Sequence, residues 1–121
     1  MDILNHHSDA PWSNKIYESQ DLICYKDKYP VTEGHLLIVP KKKDPTTIGE
    51  AFKLAYVEGQ TMVREGMCDS FNVGMNSGVE AGQTIGWPHI HVIPRRNGDV
   101  EDPTGGIRNI IPGKGKYETT E

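Results

Sequence analysis

Among its 121 residues the chain has only two cysteines, Cys24 and Cys68. They form no Cys-x-x-Cys pair, which argues against a thiolate zinc site, and two thiols provide no disulfide framework. Both read as core or near-core thiols of a reducing compartment. An excess of basic charge is missing too: 13 Lys+Arg against 17 Asp+Glu give a net charge of -4. That balance argues against binding nucleic-acid polymers through the whole surface. No apolar run approaches the roughly 20 residues of a membrane span, and Met1-Asp2 lacks the basic start of a signal peptide. Internal repeats and low-complexity segments are likewise absent. The expectation is a single soluble, cytoplasmic domain with no membrane association. A chain of this length buries about two-thirds of its unfolded surface and needs no staple.

What is present sorts into an arm, a patterned body and a tail. Residues 1–15 are polar, with His6-His7 read as solvated and Trp12 as the side chain that tucks the arm onto the body or a partner subunit. Residues 16–97 carry the pattern. Ile16–Ser19 and Leu22–Lys26 are β-favouring runs around a turn at Gln20-Asp21, which makes a hairpin. Gly34–Pro40 is nearly continuous in apolar residues and reads as a strand buried on both faces. Asp44-Pro45-Thr46-Thr47 reads as a helix start. Phe52, Ala55, Tyr56, Met62, Val63 and Met67 then recur at helical spacing over about five turns. Gly59 inside that helix suggests close packing on a sheet, and Gly66 suggests its end. Ser70–Met75 alternates as a further strand, closed by Asn76-Ser77-Gly78. The fold class is therefore α+β: about five mainly antiparallel strands with one long helix on a face. Residues 98–121 form a Gly/Pro-rich extension that either wraps over the site, reaches across a dimer, or lies as a loose surface tail. In the first cases Arg95, Arg96 and Arg108 would meet phosphate. Glu118–Glu121 is expected to be disordered. Lys41-Lys42-Lys43 reads as a solvated turn.

The chemistry concentrates in Gly82–Arg95, Gly-Gln-Thr-Ile-Gly-Trp-Pro-His-Ile-His-Val-Ile-Pro-Arg. From His89 the residues alternate polar and apolar, so His89 and His91 share one face of a strand while Ile90 and Val92 point into the core. The glycines around Gln83-Thr84 allow backbone N–H groups to form a concave anion nest. A nest followed by two imidazoles suggests acid–base or nucleophilic chemistry on a phosphate.

This stretch resembles the signature of the histidine-triad nucleotide hydrolases and transferases, in which Gly-Gln-Thr/Ser precedes three alternating histidines and Pro-Arg follows. Aligned on Gln83-Thr84 and Pro94-Arg95, the family's nucleophile falls on His89 and the third histidine on His91. The first falls on Trp87, a departure from the pattern. The resemblance spans roughly Ile16 to Arg95. It implies ribose or nucleotide contacts from Asp27, with Lys28 beside it, and from Asn76, and phosphate contacts from Gly82, Gln83 and Thr84. Read alone, Asp27 and Asn76 are equally well turn residues. The resemblance also places His35 near the site. Since an indole has no acceptor nitrogen, His35 is expected to have a changed partner and a supporting role.

The implied reaction is hydrolysis of a dinucleoside polyphosphate or nucleoside phosphoramidate, most readily of an adenine nucleotide, through a nucleotidyl intermediate on His89. His91 favours hydrolysis over transfer to a sugar phosphate. No cofactor or metal is required, although a divalent cation can accompany a polyphosphate. A symmetric homodimer is implied as well. Two other readings stay open: a nucleotide-binding protein in which Trp87 has disabled turnover, and a metal protein using His89 and His91 with His35 or Asp27.

Overall fold

The structure is a computed structural model and describes residues 1–117. The expectation for Glu118–Glu121 lies outside the described residues. Five strands form one sheet: β1 Lys15–Glu18, β2 Leu22–Lys26, β3 Leu36–Pro40, β4 Ser70–Gly74 and β5 Ile90–Arg95. Their order is β1-β2-β3-β5-β4, and every neighbouring pair is antiparallel. One helix, α1, runs from Pro45 to Arg64 and crosses β3, β4 and β5. This is the α+β architecture that the patterning implies.

Local chemistry sets the ends of α1. The Asp44 carboxylate accepts from the Thr47 N–H at 2.7 Å, which caps the first turn, and Pro45 follows where its missing N–H costs nothing. At the far end Gly66 takes a left-handed φ of 75°. Its N–H donates to Val63 at 3.0 Å, and that of Met67 donates to Met62 at 2.9 Å. This pair of bonds is a Schellman stop, and it is why a glycine stands there.

The inward face of α1 differs from the one that hydrophobicity predicts. Thr47, Ala51, Ala55, Gly59 and Met62 are buried, whereas Phe52, Tyr56, Val63 and Met67 are exposed. A stripe of small residues brings the helix close to the sheet, and the bulky residues flank it. At Gly59 a Cβ would lie 2.2 Å from the Phe71 ring of β4, so no larger residue fits without rearrangement.

The sheet divides the core in two. Cys24, Leu36, Ile38, Ile90 and Val92 pack toward the helix. On the other face Ile23, Tyr25, Leu37, Val39 and Trp87 form a second cluster, covered by Leu4 and Trp12 of the N-terminal arm. The arm is also tied by its backbone, since Leu4 N–H donates to the Gly86 carbonyl at 3.0 Å. Both thiols are free and buried, and burial pushes that of Cys24 up to about 11, which makes it inert. Among the described residues no helix is long and apolar enough to cross a membrane.

The described part of the tail, through Tyr117, does not line the cavity at His89 and His91. Its short 3-10 turn, Gly106–Ile110, packs on the β4 end of the same sheet face, with Ile107 beside Gly74 and Gly106 beside Asn72. The arginines that the sequence offers to phosphate are occupied. Arg95 bonds Asp99 and Asn72, Arg96 bonds Thr32 and the Met67 carbonyl, and Arg108 bonds the Lys114 carbonyl under the Tyr117 ring. They brace the tail and the end of the sheet.

Candidate active site

Alternation along β5 places its residues. Ile90 and Val92 are fully buried on the helix face, and His91 therefore projects to the other side, opposite Leu37 of β3. His89 precedes the strand on the same side, with the two imidazole centroids 5.2 Å apart. Both face a cavity of about 420 Å³. That is ample for a small organic ligand. Its walls include Asp27, Lys28, Asn76, Gly82 and Thr84, so five residues singled out in the sequence converge with the two histidines. Pro11, Trp12, Tyr29, Leu37 and Ile85 complete the lining. Of these, Trp12 carried a signal, as a large aromatic in an otherwise polar arm. Its ring lies 4.9 Å from that of His89 and 6.1 Å from that of Tyr25.

The histidine tautomers follow from their partners. His89 Nδ1 lies 2.8 Å from the Trp87 carbonyl oxygen. An oxygen of this kind only accepts, so Nδ1 carries the proton and Nε2 keeps its lone pair. The Trp87 side chain turns away and donates its indole N–H to the Pro40 carbonyl at 2.8 Å. Loss of a histidine side chain at position 87 therefore leaves the orienting group of His89 in place, because that group is backbone.

A second chain of bonds fixes His91. The Val31 N–H donates to His35 Nδ1 at 3.2 Å. His35 must then hold its proton on Nε2, which lies 2.9 Å from His91 Nδ1. His91 Nδ1 accepts this bond, and its own proton sits on Nε2. The partner of His35 is thus His91. Asp27 Oδ2 lies 3.5 Å from His35 Nε2, while its Oδ1 accepts from the Tyr29 N–H at 2.7 Å. Burial holds the pKa of all three histidines below the ordinary value. His91, with His89 and His35 as further causes, is lowered to about 4 despite the opposing Asp27 carboxylate. All three are neutral near pH 7.

The Gly-rich loop differs from a simple anion nest. The Gln83 carboxamide accepts from the Gly78 N–H at 2.8 Å and donates to the Ile85 carbonyl at 2.9 Å. The Gly82 and Gln83 N–H groups donate to Val79 and Gly78. Gln83 therefore braces the loop and is absent from the cavity wall, whereas Gly82 and Thr84 line it.

Asp27, His35 and His91 place ligand-type atoms within 4.8 Å of one another, which raises the question of a metal. A metal at His35 Nε2 requires the proton on Nδ1, with an acceptor beyond it. What lies beyond Nδ1 is the Val31 N–H, a donor. The group does not fit a metal ion, and none enters the chemistry below.

Comparison with known proteins agrees with this architecture. The adenylylsulfatase HINT3 of Arabidopsis thaliana is 34% identical over 92 residues, covering 70% of this chain and 47% of that protein. The asymmetrical bis(5'-nucleosyl)-tetraphosphatase of Schizosaccharomyces pombe is 27% identical, covering 74% of this chain and 53% of that one. The chain thus spans about half the length of both. A Zn-bound histidine triad family protein from Mycobacterium smegmatis superposes with a TM-score of 0.69 at 31% identity, over 78% of this chain and 73% of that one. The sequence profile of the HIT domain matches residues 11–98, most of the chain, and the protein therefore belongs to the HIT domain family.

Proposed function

We propose that this protein hydrolyses a nucleotidyl conjugate through a covalent nucleotidyl-histidine. The observation that carries the reading is the bond from His89 Nδ1 to the Trp87 carbonyl. It sets the Nε2 lone pair of a buried, neutral imidazole toward the cavity, which is the state a nucleophile needs. Asp27 and Asn76 suit a ribose, since a carboxylate accepts from two hydroxyls and an amide both donates and accepts. Thr84 and His91 Nε2–H suit the oxygens of the phosphate under attack, where a fixed donor is worth a few kcal/mol in the transition state. Lys28 at the cavity wall suits a second phosphate, to which its ammonium is a cationic donor. Adenine is the expected base. The names of the two curated relatives support hydrolysis of nucleotide conjugates and do not select among them.

The alternative, a nucleotide-binding protein disabled by Trp87, loses its main support. The feature of position 87 that orients the nucleophile is a carbonyl that every residue has. We also expect two copies to pair, and the exposed Ile107, Ile110 and Ile111 offer apolar surface for it. Sedimentation equilibrium tests that expectation.

Intact mass after a rapid quench with diadenosine polyphosphate or an adenosine phosphoramidate tests the reaction. Wild type is expected to carry an added nucleotidyl mass and His89→Asn none, with turnover lower by at least about 10³-fold. Undiminished turnover in His89→Asn would remove the nucleophile assignment.

A further inference from the structure

We propose that the N-terminal arm, residues 1–14, is a strap that mild acid releases: with His7 neutral it docks on the sheet and walls the cavity, and protonation of His7 lifts it off. The inference does not depend on the reaction proposed above.

The docking is built into the body of the chain. Ile3 forms a parallel bridge with Gly86, and the Leu4 N–H donates to the Gly86 carbonyl at 3.0 Å. A Cβ at position 86 would lie 1.9 Å from the Asp2 carbonyl oxygen and 2.9 Å from the Ile3 Cα. Those are backbone atoms, which cannot swing aside. Gly86 is not one of the glycines with positive φ, so its own conformation does not require glycine. The approach of the arm does. Further along, Leu4 and Trp12 cover the second core, and Pro11 and Trp12 stand in the cavity wall. Gly86 also precedes Trp87, whose carbonyl holds His89, so the strap is fastened to the loop that orients His89.

Between these two attachments lies a weak point. His7 opens the short 3-10 turn His7–Asp9, and its ring lies 6.3 Å from that of Trp87. Its Nδ1 is, among the described residues, the one buried side-chain nitrogen or oxygen without a hydrogen-bond partner. A neutral imidazole tolerates this, because Nδ1 can keep a bare lone pair while Nε2 carries the proton. An imidazolium has a proton on both nitrogens, and the buried N–H of a cation would then face no acceptor. The surrounding charges do not compensate. On its own turn stand His6, whose ring lies 4.2 Å away, and Asp9. From β1 comes Glu18, which already pairs with Lys15 and Lys41. After β3 come Lys41 itself and Lys43, whose ammonium sits 5.4 Å over the Trp87 ring. Burial lowers the His7 pKa from its ordinary 6.5, with His6 and Lys41 as further causes and Glu18 and Asp9 opposing. Off the sheet, His7 returns to solvent and takes up its proton at the ordinary value. The docked strap thus binds fewer protons than the released one. Docking is strongest above pH 6.5 and weakens as pH falls. For a docked ring that stays neutral, the docking equilibrium loses about 25-fold between pH 7 and pH 5, the limit for one group of ordinary pKa.

Amide hydrogen exchange of the full chain, followed by NMR and corrected for the intrinsic effect of pH, tests this. Leu4 reports the strap, and Ile38, paired on both sides at the centre of the sheet, reports global opening. Between pH 7 and pH 5 the protection of Leu4 is expected to fall about 5- to 25-fold, and that of Ile38 less. His7→Phe keeps a ring against Trp87 and His7→Gln keeps a polar side chain, and neither titrates. In these variants Leu4 is expected to stay protected at pH 7 and to change by less than about twofold at pH 5. Gly86→Ala supplies the released reference, with Leu4 unprotected at both pH values. The Trp12 indole signal of the wild type should move toward its Gly86→Ala position as pH falls. Leu4 protection that is flat with pH in the wild type, that falls equally in both His7 variants, or that falls only in step with Ile38 would overturn the proposal. So would loss of Leu4 protection at pH 7 in both His7 variants, since His7 would then be an anchor of the strap and not its weak point. A Trp12 signal that stays in place while Leu4 opens would overturn the release of the cavity wall.

Discussion

The two faces of the sheet are made from the same strands and obey different rules. Toward the helix, every position of β5 is apolar, and the partner element offers a stripe of small residues so that the surfaces close without a gap. Toward the arm, His91 of β5 and His89 just before it carry imidazoles, and the covering layer is a loop and an irregular N-terminus rather than a helix. The first face stores stability in close packing. The second leaves a cavity whose polar groups are fixed by single hydrogen bonds. Because strand residues alternate, residues one position apart belong to different tasks, and this allows the tasks to be separated by substitution.

The sharpest separation is between Ile90 and His91. Ile90 is fully buried among Ile38, Val92 and the helix. Ile90→Ala is expected to cost about 2–5 kcal/mol, the range for deleting a large aliphatic group from a core, read as a lower urea midpoint with kcat unchanged while the protein remains folded. His91→Ala is expected to do the reverse. It should lower turnover by about 10²-fold and cost less stability, chiefly through the unpaired Nε2–H of His35. Equal stability losses at the two positions would break the division. Gly59→Ala belongs with Ile90. A methyl 2.2 Å from the Phe71 ring forces a shift, and overpacking of this kind costs about 1–3 kcal/mol, offset by up to about 1 kcal/mol of helix propensity. Thermal unfolding measures the net loss.

Acid should act on the cavity face first. His35, His89 and His91 all have folded pKa values below the unfolded value of 6.5. Such groups bind more protons unfolded than folded, so their stability is fully present above pH 6.5 and is lost as pH falls toward the folded values. For His91, lowered to about 4, this amounts to at most about 3 kcal/mol at 1.36 kcal/mol per unit. Urea titrations at pH 7 and pH 5 should show the loss, and His91→Gln should flatten it. A profile flat between these values would mean that the histidines are not buried as neutral groups.

Much of this division was legible in the sequence, and its gaps share one cause. Alternation from His89, the helix start at Asp44-Pro45-Thr46-Thr47, the Gly66 stop and the close approach at Gly59 all depend on local pattern and appear in the structure as read, with Asp44 the residue that caps. The inward face of α1 was misread because hydrophobicity selects Phe52 and Tyr56, while close packing selects Ala51 and Ala55 by size. The partners of Gln83, Arg95, Arg96 and Arg108 were missed because they lie in loops whose return path no periodicity encodes. Position 87 carried the hardest lesson. The residue type left a disabled site open as the alternative to a hydrolase, and the contact that orients His89 comes from the backbone, to which residue identity is blind.

The smallest expected effect tests whether the arm belongs to the site or merely covers it. Trp12 packs on Tyr25 and lies 4.9 Å from His89. Aromatic pairs of this kind are worth about 0.5–1.5 kcal/mol beyond burial. If the arm only shields the second core, Trp12→Ala lowers the urea midpoint and leaves the kinetics of the folded protein alone. If Trp12 also shapes the cavity, KM rises several-fold while kcat falls little, because the His89 tautomer is held by Trp87 and not by the arm. Trp12→Phe keeps a ring over His89 and should restore KM before it restores stability in full. We expect the second pattern, since the indole is a wall of the cavity as well as part of the packing beneath it. A change in kcat alone would instead mean that the arm helps to place the nucleophile, and the division between a packed face and a reactive face would then need a third element.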